Sequence, residues 1–265
     1  MLYRPLFWTS YWCEDWLYSS GYRGGVSTIL ISSASAKTAF CLAYLVRKRL
    51  KKHGKIDEKT KVIGLTSPRN VRFTKNLGLY HEVLEYDGFT TASSFQSGSQ
   101  DRWLYVDVAG NNDLNARITA HFASPGTPKL VAWVSLGLTN LSPSSKNVNS
   151  GNWSKNIFGT KTNLVTSHEA SLSLPEVERF FMPEWLDIRR FQIPLQEIVQ
   201  RQDVAWKDLM EDCVSWVELQ RICGPTAVKV AYETLVKEGL DPDKGYVWSL
   251  WNEDPSKSHL VSSRL

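Results

Sequence analysis

The sequence predicts an α/β protein: a doubly wound parallel sheet with helices on both faces and a helical extension towards the C-terminus. Short β-branched runs recur along the first half of the chain, and stretches with apolar residues at helical spacing separate them. That alternation is the pattern of parallel strands joined by helical crossovers. With 265 residues, 42% hydrophobic and 12% aromatic, the chain has enough apolar material for one large domain, or one domain with an extension.

Residues 1–23 read as a lead-in helix in which Trp8, Trp12 and Trp16 recur every four positions, a face suited to core packing or to a partner. Thr28–Ile31 is a strand, and Lys37–Leu50 a helix with Phe40, Leu42, Ala43, Leu45 and Val46 on its apolar side. Lys61–Leu65 is the second strand, bounded by Thr66-Ser67-Pro68-Arg69-Asn70, and Val71–Leu77 a helix ending at Gly78. Strands follow at Val83–Tyr86, Leu104–Val108 and Leu130–Leu136, with a helix around Leu114–Phe122. Leu138–Thr166, rich in Asn, Ser, Thr and Gly, reads as a long mobile surface loop or excursion. Glu176–Leu219 is expected to be mostly helical, broken by Pro183 and Pro194. Gly224-Pro225 opens a return helix, Thr226–Lys237, and Gly245 precedes a last strand, Tyr246–Leu250.

Lys and Arg exceed Asp and Glu by four, too small a surplus to indicate a nucleic-acid or acidic-membrane partner. The basic run Arg47-Lys48-Arg49 with Lys51-Lys52 reads as a solvated helix end. The four cysteines are scattered and the five histidines dispersed, without metal-ligand spacing, so a reduced, cytoplasmic protein without metal is expected. No secretory signal is evident, and the most apolar window, Val26–Val46, is too polar for a membrane span.

In such a sheet the ligand site lies at the carboxyl ends of the strands. The first strand ends in Ser32-Ser33-Ala34-Ser35-Ala36-Lys37-Thr38. Small residues admit a phosphate close to the backbone, a helix N-terminus offers unpaired N–H groups, and Lys37 in the first turn opposes the dipole unless an anion is there. Ser33, Ala34, Ser35, Lys37 and Thr38 are therefore candidate pyrophosphate contacts; the alternative is a tight packing turn, since the GxGxxG glycines are absent. A P-loop is excluded by the loss of both its glycines. The second strand ends in Thr66, Ser67 and Arg69 with no Asp or Glu for a ribose diol, a set that suits a 2′-phosphate and prefers NADP(H) over NAD(H). A capped helix with a solvated Arg69 is the alternative. Ala109, Gly110 and Asn111 after the fourth strand, and Ser135 at the end of the fifth, supply small residues where a nicotinamide ribose would lie; ordinary turn chemistry is the alternative for each.

Together these segments resemble the Rossmann-type cofactor domain of the medium-chain dehydrogenase/reductase superfamily. Ile29–Ala39 looks like its first strand and glycine loop, with Ser33, Ala36, Lys37 and Ala39 where glycines are common; Gly64–Ser67 is similar to its second strand, Asn76–Gly78 to its helix end and Val106–Gly110 to its fourth strand. Leu2–Ser10, Ser32–Thr38, Gly64–Asn70, Gly224-Pro225 and Gly245–Leu250 resemble an uncharacterised fungal and bacterial branch. The resemblance implies NADP(H) as cofactor, self-association through this domain, and Thr9 and Tyr11 as catalytic candidates bordering the nicotinamide. It also implies that the GroES-like half of the substrate cleft is missing, because Met1 stands almost where the cofactor domain begins.

The expected function is a zinc-free NADP(H)-dependent reductase of a carbonyl or activated alkene in biosynthesis, with Tyr11, Ser135 or Lys37 as polarising donor for a small-molecule substrate. A non-redox isomerase or lyase on a degenerate version of the fold is the alternative from another class. A binding module using the eleven tryptophans is the third. The spacing of Tyr232 and Lys237 does not fit a short-chain dehydrogenase pair, and no GxSxG elbow supports a hydrolase.

Overall fold

A computed structural model describes residues 3–53, 60–96, 98, 100–108, 110–136 and 174–252. The chain groups into two compact units, residues 3–195 and the residues from 196 onward.

The first unit opens with helix α1, Arg4–Ser19, and continues through strand β1, Thr28–Ile31, helix α2, Lys37–His53, and strand β2, Lys61–Thr66. A 3-10 turn at Pro68–Asn70 leads into the short helix α3, Val71–Asn76, and strand β3, Glu82–Glu85. Strand β4, Arg102–Asp107, helix α4, Asn112–Phe122, strand β5, Lys129–Ser135, strand β6, Val177–Arg179, and helix α5, Met182–Gln192, complete it. The six strands run parallel in the order β3-β2-β1-β4-β5-β6. That is the doubly wound Rossmann order, reversing between β1 and β4.

Period-two alternation sends Leu30, Ile63, Leu65, Trp103 and Tyr105 to one face, into a cluster with Phe89, Phe95, Leu114, Ile118 and Phe122. The intervening Ile29, Ile31, Val62, Leu104 and Val106 are equally buried on the other face. Both faces are covered, which is why these strands read as continuous apolar runs. On α2 the run Ala39–Val46 is buried throughout.

Helix α1 is fixed by ionic clasps. Glu14, almost fully buried, accepts from Arg49 Nε and Nη2 on α2 and from Tyr22 Oη. Asp15 accepts from Trp185 Nε1 and Arg189 Nη2 on α5. Of the three tryptophans on its face, Trp12 is buried, whereas Trp16 is half-buried beneath Arg23 and beside Phe180. The basic run on α2 is not simply solvated. Arg49 enters the Glu14 clasp and Arg47 donates to the Gly78 carbonyl.

Between α1 and β1 the backbone winds the unusual way. Gly21, Tyr22, Arg23, Gly24 and Gly25 all have positive φ, from 50° to 89°, and Gly24 and Gly25 donate to the carbonyls of Ser20 and Gly21. A left-handed turn costs about 1–2 kcal/mol per non-glycine residue. It persists here because its side chains are tied down: Tyr22 to Glu14, and Arg23 to Glu178 of β6 through two hydrogen bonds. Arg102 donates to the carbonyls of Arg23 and Gly25.

The second unit contains helix α6, Leu195–Asp212, strand β7, Glu218–Cys223, helix α7, Pro225–Glu238, and strand β8, Lys244–Ser249. Two sequence expectations are corrected. The stretch Glu176–Leu219 contains β6 and the start of β7, and its prolines begin helices instead of breaking one: Pro183 lies in the first turn of α5 and Pro194 immediately precedes α6. The last strand does not return to the main sheet; β8 pairs in parallel with β7 in a sheet of two. The expected loop Leu138–Thr166 lies outside the described residues.

His81, just before β3, accepts the Val62 N–H at Nδ1 and donates its own N–H to the Val62 carbonyl. Burial, together with the nearby Arg47 charge, holds its imidazole below the usual histidine range. The unfolded chain therefore takes up the proton first, from about pH 6.5 downward, and stability falls as pH drops through that window. His81→Asn, whose amide oxygen can accept the same N–H, is expected to flatten this decline. Urea midpoints at pH 7.5 and 5 measure it, and an unchanged decline would assign the proton to another group.

Candidate functional site

The carboxyl ends of β1, β2 and β4 meet where the strand order reverses. From β1 the chain enters a tight loop: Ser33 adopts φ +51°, the conformation for which a glycine is expected, and Ala36 N donates to Ser33 O. Ala34 is fully buried, its N–H donating to Leu65 O on β2 and its carbonyl accepting from Tyr80 Oη. This approach explains a glycine in β2. A Cβ added to Gly64 would lie 2.7 Å from the Ala34 methyl and 2.9 Å from Tyr80 Cδ1.

The loop serines are each held by a neighbouring strand end. Ser35 Oγ accepts from Thr66 Oγ1 at 3.2 Å and from Asn70 Nδ2 at 3.0 Å. Ser33 Oγ lies 3.3 Å from Tyr86 Oη after β3; burial pushes that phenol above its ordinary range, partly offset by the serine. Ser32 Oγ, which is buried, donates to Asp107 Oδ1 at the end of β4 and accepts from Val108 N.

The structure thus brings Ser33, Ala34, Ser35 and Thr66 together, with Lys37 and Thr38 half-buried in the first turn of α2. Ser67 precedes the 3-10 turn in extended conformation without capping it, and Arg69 is exposed within that turn. Gly110 has φ +64° and donates to Asp107 Oδ1, while Asn111 Oδ1 caps α4 by accepting from Leu114 N. Ser135 pairs with Asp107 across β4 and β5, and its carbonyl accepts from Phe180 N. Ala109 lies outside the described residues. On α1, Thr9 donates back to Pro5 O and Tyr11 packs edge-on against Trp8 and Trp12. Ser10 between them makes the link to α2, donating to Thr38 O at 2.8 Å.

Sequence reasoning passed over Ser10, Asn70, Tyr86, Asp107 and Asn115. An acidic residue ending an apolar strand was the available signal for Asp107. Among the described residues no group of His, Cys, Asp and Glu is placed to hold a metal ion, and no helix is long and apolar enough to cross a membrane.

Comparison with solved structures returns matches at low identity. CurA from Vibrio vulnificus, solved with NADPH, is 10% identical, with 94% of this chain covering 62% of that one at a TM-score of 0.48. The yhdH oxidoreductase from Salmonella enterica, solved with NADP, is 15% identical, with 91% covering 60% at 0.48. The quinone oxidoreductase from Coxiella burnetii is 14% identical, with 90% covering 57% at 0.47. The chain therefore spans about three fifths of the length of these structures. No curated protein matches the sequence. A family model described as a protein of unknown function, DUF2855, matches residues 1–241, and the chain belongs to that family.

Proposed function

We propose that the protein is an NADP(H)-dependent oxidoreductase of medium-chain dehydrogenase/reductase type, working without zinc on a carbonyl or activated alkene. The observation that carries this reading is the state of Ser35 in the β1–α2 loop. A hydroxyl has one proton and two lone pairs, and here Thr66 and Asn70 donate to the oxygen, leaving the proton to serve a further acceptor. A donor so arranged, in a loop leading into a helix N-terminus at the topological switch point, fits a phosphate oxygen.

In this reading Ser33, Ala34, Ser35, Lys37 and Thr38 hold the pyrophosphate. Ser67 and Arg69 receive the 2′-phosphate, while the buried Thr66, expected from the sequence to join them, instead orients Ser35 by donating to it; no carboxylate stands at the end of β2 to repel the phosphate. Ala109, Gly110, Asn111 and Ser135 border the nicotinamide ribose, and Thr9 and Tyr11 are the candidates for polarising the substrate. When bound, the cofactor supplies the hydride; the chain supplies orientation and a proton donor.

Titration with NADPH and NADH, followed by nicotinamide fluorescence, tests the reading. NADPH is expected to bind more tightly than NADH. Arg69→Ala is expected to weaken NADPH by about tenfold to a hundredfold, the worth of a charged hydrogen-bonded contact, and to leave NADH nearly unchanged. No binding of either dinucleotide at millimolar concentration would remove the reading and leave a fold reused for non-redox isomerase or lyase chemistry or for partner binding.

A further inference from the structure

Behind the loops at the switch point lies a buried polar chain that binds no ligand in the reading above. Asp107, 3% exposed, receives three donors and no acceptor among the described residues: Ser32 Oγ at 3.1 Å and Gly110 N at 2.9 Å on Oδ1, and Asn115 Nδ2 at 2.7 Å on Oδ2. The Asn115 amide cannot turn round, because that would set its Oδ1 against the acceptor-only carboxylate; in the observed orientation its Oδ1 accepts from Tyr105 Oη at 2.7 Å. Burial and the Asp107 charge push the Tyr105 phenol well above its ordinary range, so it keeps its proton. Ser32 in turn accepts from Val108 N at 2.9 Å. The carboxylate can only accept, and it is the point to which the donors converge.

The geometry matters because of what the carboxylate joins. Ser32 opens the β1–α2 loop, whereas Gly110 lies in the β4–α4 loop on the other side of the switch point and Asn115 lies on α4. Two loops from strands adjacent in space but distant in sequence are held to one side chain.

We infer that Asp107 is a positioning residue that sets the separation of the β1–α2 and β4–α4 loops, and thereby the fit of the nicotinamide half of the dinucleotide. The inference rests on the NADP(H) reading. In that reading the adenosine 2′-phosphate half lies against the β1 and β2 ends, which stay joined without Asp107 through Ala34 N to Leu65 O and Thr66 to Ser35, so its binding is expected to survive the loss of Asp107.

Asp107→Asn tests this. An amide at this position turns a donor towards Asn115 Nδ2, or towards Ser32 and Gly110, and one buried bond is lost. NADPH affinity is expected to fall by about tenfold or more, while 2′,5′-ADP, which lacks the nicotinamide half, binds as in the wild type. The double variant Asp107→Asn with Asn115→Asp restores every partner: the new carboxylate accepts from Tyr105 and from the new amide, whose oxygen accepts from Ser32 and Gly110. It is expected to recover NADPH affinity to within about threefold of the wild type. Isothermal titration of all three proteins with both ligands reads the result, and thermal midpoints accompany it. If Asp107→Asn weakens both ligands equally, or neither, or if the double variant recovers its midpoint without recovering NADPH, the positioning role is overturned while the cofactor reading stands. If the wild type binds neither ligand, the cofactor reading falls and this inference with it.

Discussion

Gly64→Ala is expected to cost about 3 kcal/mol of stability, the upper part of the range for overpacking a dense site, and to weaken NADPH binding. The added methyl would meet the Ala34 methyl at 2.7 Å and Tyr80 Cδ1 at 2.9 Å. Neither neighbour can yield cheaply. Ala34 is fixed to β2 through Leu65 O, and Tyr80 is fixed to Ala34 O by its hydroxyl. Relief must come from lifting the β1–α2 loop, the segment assigned here to the pyrophosphate. Urea unfolding gives the first quantity and fluorescence titration the second. The double variant with Ala34→Gly removes the opposing methyl and is expected to regain much of the stability. A single variant as stable as the wild type would refute the close packing.

Glu14→Ala is expected to destabilise the protein by about 3–5 kcal/mol, because it strands a guanidinium and a phenol that now share one carboxylate. The lower end is the more realistic. Arg49 is 27% exposed against 3% for Glu14, so part of its charge can reach water. The guanidinium also rests 4.3 Å from the centre of the Tyr18 ring, which softens the loss. Replacing both partners, Glu14→Leu with Arg49→Leu, removes the pair without leaving a charge behind. Chemical denaturation is expected to place this double variant above Glu14→Ala alone; the reverse order would show that the pair contributes net stability beyond the cost of stranding its partner.

Much of the first unit is legible in the sequence because its strands are buried on both faces. Ile29, Leu30 and Ile31, or Val62, Ile63 and Leu65, can be read as strands without knowing their neighbours. Strand β6 cannot. It is only Val177–Arg179, with a polar majority, and exists because Trp133, Val134 and Ser135 offer an edge to pair with. Strand β7, Glu-Leu-Gln-Arg-Ile-Cys, likewise depends on its partner β8. At the candidate site the local cues were readable: small residues after β1, and no acid after β2. For Asp107 the acid ending an apolar strand was visible, but its partners were not: Ser32 lies 75 positions earlier and Asn115 on the following helix. Nothing in Tyr22 or Arg23 announces positive φ; three flanking glycines announce only a turn.

That turn inverts the usual rules of residue preference. Over Gly21–Gly24 the backbone is, locally, the mirror image of an ordinary helical turn, so an amino acid of natural chirality meets there the crowding that its enantiomer would meet anywhere else. In a chain assembled by chemical synthesis, D-alanine at Gly21 or Gly24 would be the relaxed residue and L-alanine the strained one. The segment carries, in four positions, a small region of opposite chirality whose tolerance for building blocks is reversed.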